Sequence, residues 1–321
     1  MSRHFLYTAL VSAAVLCSDV TPVQAGKFYL SSELGVNFGE PLGMSGSSND
    51  RASVCDGYIN PGYDQVEGTA GYASYNCTGP NRGSTGGWRN GFSADEGVLF
   101  GAALGYRLND SQFRMELEYL YRDTGYDEIS DVHGGSGENS DKLEQEIVRA
   151  IDGIDSMVSH SLFANLYADF TNDSRFTPYI GIGIGVGLTE VDYSSVWARN
   201  PDAGRIETGV SLPNAQEIRA NLAGTSSITQ KRLDDTLFGY QLIAGIDYAL
   251  TDTLVLGIKG RWVDFDSLSE RGVVWDPLRG HVPYLRTPEQ AGGGDREFVE
   301  GEIKLDDIEM FAISVNLKYR F

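Results

Sequence analysis

The sequence predicts an all-β fold, a transmembrane eight-stranded antiparallel up-and-down β-barrel, and three observations carry that reading. Segments of about ten to twelve residues alternate apolar and polar side chains, the length a tilted strand needs to cross a hydrocarbon layer. The connections between them alternate short and long. Aromatic residues gather at both ends of the apolar faces, with aliphatic residues between them.

The first strand is expected at about 27–38, with Phe28, Leu30, Leu34, Val36 and Phe38 on one face. The second, about 97–108, shows Val98, Phe100, Ala102, Leu104 and Tyr106. In the third, "QFRMELEYLYR" at 112–122, Phe113, Met115, Leu117, Tyr119 and Tyr121 oppose Arg114, Glu116, Glu118 and Arg122. A helix would scatter those charges around its circumference, whereas a strand separates them. The fourth, about 154–170, sets Leu162, Ala164, Leu166, Ala168 and Phe170 against Asn165, Tyr167 and Asp169. The fifth, "TPYIGIGIGVG", presents Ile180, Ile182, Ile184 and Val186 on one face and glycine alone on the other, leaving room for longer side chains. The sixth is expected at about 236–250, the seventh at about 254–263 with Lys259 and Arg261 on its polar face, and the eighth in the closing "MFAISVNLKYRF".

The tight connections are "NDS" at 109–111, "TNDSR" at 171–175 and "TDT" at 251–253. The long ones are about 39–96, 123–153, 188–235 and 264–307. Short turns at one end and long loops at the other suit a membrane barrel better than a soluble sandwich. Two long connections look briefly helical: "KLEQEIVRAI", which spaces Leu143, Ile147 and Ile151, and "PNAQEIRANLA", which opens on Pro213.

Charge narrows the function. With a net charge of −20 the chain is a poor ligand for nucleic acid, whose phosphates need a positive face. It has no Walker loop and no zinc-type Cys/His spacing, and no cofactor is expected. Carboxylate groups in "DEISD", "ENSD", "RLDD" and "KLDD" invite a divalent cation, though solvated acidic loops are the simpler reading.

Residues 1–25 read as an export signal, with Arg3, an apolar core from Phe5 to Leu16, and Val23-Gln24-Ala25 before Gly26. The core is too short to span a membrane as a helix. Leu16 stands before Cys17 where a lipoprotein signal needs a small residue. The barrel domain is then 26–321. Export leaves Cys55 and Cys77 in one glycine-rich loop, which suggests a disulfide; two free thiols are the alternative.

An open sheet cannot stay in lipid, so the eighth strand must close on the first. Eight strands leave a lumen that side chains nearly fill. Glu33, Arg114, Glu116, Glu118, Lys259 and Arg261 face it with both signs and are expected to form a paired network there.

"FTPYIGIGIGVG", "FGYQLIAGIDYALTDTLVLGIKGRW" and "SHSLFANLYADF", with an aromatic at 321, resemble the OmpA-like and opacity-type eight-stranded outer membrane barrels. The resemblance covers 26–321 apart from the loops. It implies the cell outer membrane of a Gram-negative bacterium, long extracellular loops, short periplasmic turns and no enzymatic activity. It also implies insertion by the barrel assembly machinery, with Phe321 and Tyr319 in the last strand as the assembly signal. Outer membrane lipid and lipopolysaccharide are the implied surroundings. The loops are longer than the family's, and no peptidoglycan-binding domain is expected after the last strand.

The function expected is that of a surface protein with a structural or interaction role, such as adhesion, surface antigen or envelope integrity, with a host or surface ligand met through the loops. A small ion or solute pore is the alternative, weakened by a lumen crowded with charge. A lipid-modifying enzyme or protease is least supported. His160 lies between Ser159 and Ser161, but strand alternation turns it to the opposite face from both.

Overall fold

A computed structural model describes residues 28–48, 86–108, 111–135, 142–278 and 299–321. The export segment and the Cys55/Cys77 loop lie outside the described residues. The described residues form twelve strands: β1 (Phe28–Gly39), β2 (Leu42–Ser48), β3 (Gly86–Phe92), β4 (Glu96–Arg107), β5 (Phe113–Asp131), β6 (Ile147–Asp169), β7 (Phe176–Arg199), β8 (Ser226–Ala249), β9 (Leu254–Phe265), β10 (Leu268–Leu278), β11 (Val299–Asp306) and β12 (Ile308–Arg320). A short helix, α1 (Ala215–Leu222), lies between β7 and β8.

Eight of these strands close a barrel in the order β1-β4-β5-β6-β7-β8-β9-β12 and back to β1. All pairings in it are antiparallel. The eight predicted strands correspond to these eight. Closure leaves no sheet edge in lipid, which is the condition for a sheet to cross a membrane.

The remaining four strands continue the same wall. Gly39 pairs with Met310, and four residues further Gly43 pairs with Asp306, so β2 and β11 keep the register of β1 and β12. Phe38 pairs with Glu96 and Leu42 with Phe92, so β3 prolongs β4. Phe265 pairs with Ile308 and Leu268 with Leu305, and Gly239 meets Phe265 as Ile228 meets Asp276, so β10 prolongs β9. The ring closes through a bridge between Arg89 and His133, whose backbone groups exchange bonds of 3.1 and 3.0 Å. The breaks form one collar. Bulges in β5 between Gly125 and Glu128 and in β6 between Ile154 and Met157 fall at its height, and Asp307 turns the β11–β12 corner with φ of 62°.

This corrects the expectation of four long loops for the described residues: strand runs into each of these connections, and β7 with 24 residues is roughly 80 Å long at ~3.4 Å per residue, far more than an apolar band of ~25 Å requires. The helix expected in "KLEQEIVRAI" is also corrected: after one turn at Lys142–Glu146 the chain enters β6, so Ile147 and Ile151 are strand residues. Their spacing served pairing with β7, where Ile151 meets Val196, instead of a helical face. The helix expected near Pro213 is present as α1.

The two halves of the wall have opposite polarity. On β7, Ile180, Ile182, Ile184, Val186 and Leu188 point outward and are 46–60% exposed. The next outward residues are Glu190 and Asp192, both ion-paired to Arg232 on β8. Inward, glycines give way to the buried residues Thr189, Val191 and Tyr193. The lower half is therefore apolar outside and polar inside, and the upper half is the reverse, with a core that includes Leu42, Met44, Trp88, Phe92, Met157 and Trp275. The switch between Leu188 and Glu190 marks where lipid gives way to water.

Candidate functional site: a sealed lumen

Strand β5 samples every layer of the lumen, because alternation sends Arg114, Glu116, Glu118, Leu120, Arg122, Thr124 and Tyr126 inward and all are buried. The six lumen residues expected from sequence meet in its lower half. Lys259 Nζ lies 2.8 Å from Glu118 Oε1, 2.9 Å from Glu33 Oε2 and 3.7 Å from Glu116 Oε1. Arg261 pairs with Glu33 and, at 3.0 Å, with Glu118. Glu118 is the hub: it also accepts from Asn165 at 2.9 Å and Gln241 at 3.1 Å.

Nearer the short turns, Arg114 Nε lies 2.9 Å from Asp169 Oδ1 and its Nη1 lies 3.4 Å from Glu116 Oε2. Its guanidinium stacks over the Tyr167 ring at 3.9 Å. Tyr29 and Tyr167 hydroxyls donate to the two oxygens of Glu116 at 2.8 and 2.9 Å. Lys318 Nζ lies 2.6 Å from Asp247 Oδ2. The glycines of β7 admit these groups: a Cβ on Gly183 would sit 2.0 Å from Asn165 Oδ1, and one on Gly181 would sit 2.5 Å from the Tyr167 ring.

Above the charges lies an apolar plug of Leu99, Leu120, Phe163, Leu237, Val263 and Phe265, buried and in one cluster with the upper core. Arg122 is embedded there, fully buried, with the Phe163 and Phe265 rings 5.9 and 5.8 Å from its guanidinium carbon. Higher still, the buried carboxylate of Asp152 accepts from Trp88 Nε1 at 3.0 Å and from the Tyr193 hydroxyl at 2.7 Å. Burial pushes the Asp152 carboxyl above its ordinary range, the hydrogen bonds from Tyr193, Trp88 and Asn90 opposing it, and burial first and Asp152 second raise Tyr193. Trp88 packs edge-on against Trp197 at 5.1 Å and Trp275 at 5.7 Å.

His160 points outward, its Nδ1 2.8 Å from the Tyr119 hydroxyl, while Ser159 and Ser161 are buried in the lumen. No His–Ser pair forms there. His133 takes part in the β3–β5 bridge through its backbone. Among the described residues no group of three or more His, Cys, Asp or Glu is placed to hold a metal ion.

Phe321 and Tyr319 are half exposed on the outer face at the short-turn end, with ring centroids 5.3 Å apart. Phe28 and Tyr106 lie beside each other there at 4.8 Å, as do Phe176 and Tyr248. At the other edge of the apolar band Tyr240 packs on Trp262 at 5.6 Å and donates to Asp264 at 2.5 Å.

Sequence reasoning missed Asp169, Asp247, Lys318, Asn165, Gln241 and the tyrosines as members of the network. Their inward parity was visible in the alternation, but their partners lie on other strands and need the register. Arg122 shows the converse: its parity matched that of Arg114, yet the structure leaves it out of the ion pairs.

A closed barrel with an apolar outer belt, two aromatic rims and a charged, filled interior defines a transmembrane β-barrel. Sequence comparison agrees: the model of the outer membrane protein beta-barrel domain family matches residues 12–321, and the chain belongs to that family. It is a Gram-negative outer membrane protein. No curated protein sequence matches it. Among solved structures it is similar to Neisserial surface protein A, with 13% identity, 93% of this chain and 100% of that one covered, and a TM-score of 0.38. It is also similar to the outer membrane protein OprG from Pseudomonas aeruginosa, with 12% identity, 94% and 99% coverage and a TM-score of 0.40. Ail, the attachment invasion locus protein of Yersinia pestis, matches with 8% identity, 92% and 99% coverage and a TM-score of 0.31.

Proposed function

We propose that this protein is a non-conducting, non-enzymatic surface protein that presents an extracellular barrel as a rigid contact platform. The observation that carries this reading is the continuity of the wall across the collar together with a lumen filled throughout. Glu118 and its four donor side chains block the membrane section. Leu120, Phe163, Leu237 and Phe265 seal the section above. A filled eight-stranded lumen leaves no aqueous path for a solute. The segments 49–85 and 279–298 connect β2 to β3 and β10 to β11 in sequence, and through them the protein meets a host or surface ligand. In this reading Cys55 and Cys77 form a disulfide within the first of them, and lipopolysaccharide surrounds the collar.

Single-channel recording of the full chain in planar bilayers tests this reading. The expected result is no steady conductance. A large, steady conductance would favour the pore and remove the platform reading. Binding to host-cell or matrix surfaces, lost when 49–85 is shortened and kept when the lumen is altered, would support the contact role.

A further inference from the structure

On the outer flank of the upper wall, four residues of adjacent strands lie side by side: Ile129 pairs with Gly153, Gly153 with Ser194, and Ser194 with Gln230. The bulges in β5 and β6 fall just below this row, and a bulge bends the strand that carries it. A groove of about 530 Å³ opens there, within the range of roughly 300–1,000 Å³ typical of ligand sites. Its floor is the bare backbone of Gly153. A Cβ at that position would lie 2.7 Å from Ser194 Oγ, so any other residue would crowd the floor. Ile129, 71% exposed, forms one side, and Asp192 and Arg232 border the groove below the row.

The lining offers donors, acceptors and an apolar side together. Gln230 is exposed and Ser194 half-buried, and neither side chain has a hydrogen-bond partner among the described residues. Arg232 gives Nε to Asp192 Oδ1 at 3.1 Å and Nη1 to Glu190 Oε2 at 3.4 Å, which leaves its Nη2 and Asp192 Oδ2 open to a ligand. The charge is lopsided. Glu128, Asp155 and Asp192 face Arg232 and Lys231, and Lys231 is already held by Glu270 at 2.5 Å. An anion would therefore enter a negative field. A metal ion finds no group of three ligands among the described residues. A wholly apolar guest would leave Gln230 and Ser194 covered and unpaired, at a cost of ~1–3 kcal/mol each.

We propose that this groove binds an uncharged sugar residue. A sugar ring carries hydroxyls that both donate and accept, and a C–H face that favours apolar contact. The groove holds partners of both kinds. Gln230 and Ser194 serve one part of the ring, Asp192 Oδ2 and Arg232 Nη2 a neighbouring pair of hydroxyls, and Ile129 covers the C–H face above Gly153. The site lies on the wall itself, so it stands whether or not 49–85 and 279–298 meet a ligand. Ser194 is six residues beyond Leu188, where the apolar run on β7 ends. At ~3.4 Å per residue and a tilt of ~40° this is roughly 15 Å above the apolar band. The groove opens sideways at that height, within reach of saccharide headgroups of the outer leaflet and of free glycans alike.

Saturation-transfer NMR on the full chain in phosphatidylcholine nanodiscs tests this. Maltose, lactose and mannobiose are the probes, with glucuronic and galacturonic acids as charged counterparts. Transfer is expected to at least one neutral sugar and severalfold less to the acids. The double variant Ser194→Ala/Gln230→Ala, outside the packed core, should reduce that transfer severalfold while the barrel keeps its heat-modifiable band. Gly153→Val should abolish it, and if that variant does not assemble the double variant decides. Adding digalactosyl diacylglycerol to the discs separates the sources: reduced transfer to the free sugar points to a lipid-linked ligand, and unchanged transfer points to one from solution. No transfer to any neutral sugar, equal transfer to the acids, or a double variant that binds as well as the parent would overturn the proposal.

Discussion

Arg261 grips both oxygens of Glu118, with Nη1 to Oε2 and Nη2 to Oε1 each at 3.0 Å. Such a fork fixes direction as well as charge. Glu118→Ala would leave Arg261 and Lys259 short of their shared partner inside a closed lumen, at a cost of about 3–5 kcal/mol. The folded band should then lose its heat resistance at a clearly lower temperature. Changing Glu118 and Arg261 together to leucine should recover part of the loss, because no uncompensated charge then remains from the pair. A double variant worse than either single one would contradict this.

The glycine strand makes a steric prediction. A side chain at Gly183 would collide with Asn165 Oδ1 and Gln241, both of which serve Glu118. Gly183→Val should reduce the amount of heat-modifiable barrel in the outer membrane severalfold. Ile182→Val, one residue away and facing lipid, should leave it unchanged. Immunoblots of boiled and unboiled membranes distinguish the two.

Asp152 predicts a pH dependence of the upper barrel. Its carboxyl is raised by burial, so the folded state holds the proton more tightly than the unfolded chain does. Its contribution to stability is complete below the ordinary aspartate value and is lost as pH rises through the raised folded value. Fluorescence of Trp88, which donates to Asp152, should report this in mildly acidic buffer. Asp152→Asn should flatten the response over that range. An unchanged response in the variant would remove Asp152 as its source.

The seam between β3 and β5 should be the weak line of the upper wall. The ladder of β4 on β5 ends at Gly97 and Thr124, and Asn90 bridges the gap by donating to Ser130 O at 3.2 Å and accepting from Ser130 Oγ at 2.8 Å. Asn90→Ala should cost about 1–2 kcal/mol locally. Limited proteolysis of whole cells should then cut the upper wall faster while the membrane section keeps its folded mobility. Equal cleavage rates would show that the seam does not depend on Asn90.

The amide of Phe321 donates to the carbonyl of Phe28 at 3.1 Å, which makes it the final rung of the closure between β12 and β1. Removing Phe321 takes away that rung and a ring of the aromatic rim at the short-turn end. Outer membrane levels should fall well below those obtained by deleting one residue from 49–85. Normal levels of the Phe321 deletion would contradict an assembly role.

Alternation alone determined which residues face lipid in the lower half, because a period of two leaves no choice of face once one face is apolar. That made the eight membrane strands, Glu118 and Lys259 as lumen residues, and the two aromatic rims legible. The upper wall was not legible, since β2 with "LGMSGSS" and β3 with "GGWRNGF" are rich in glycine and polar residues and read as loops. They are strands because β1 and β4 below them impose a register, and because Trp88 and Met44 bury against distant partners such as Trp275 and Leu305. Pairing partners likewise came from the tertiary structure alone. Arg114 and Arg122 carry the same charge on the same face of β5. The pairing of β6 with β5 brought Asp169 to the first, beside Glu116 of its own strand, and left the second among phenyl rings and hydroxyls.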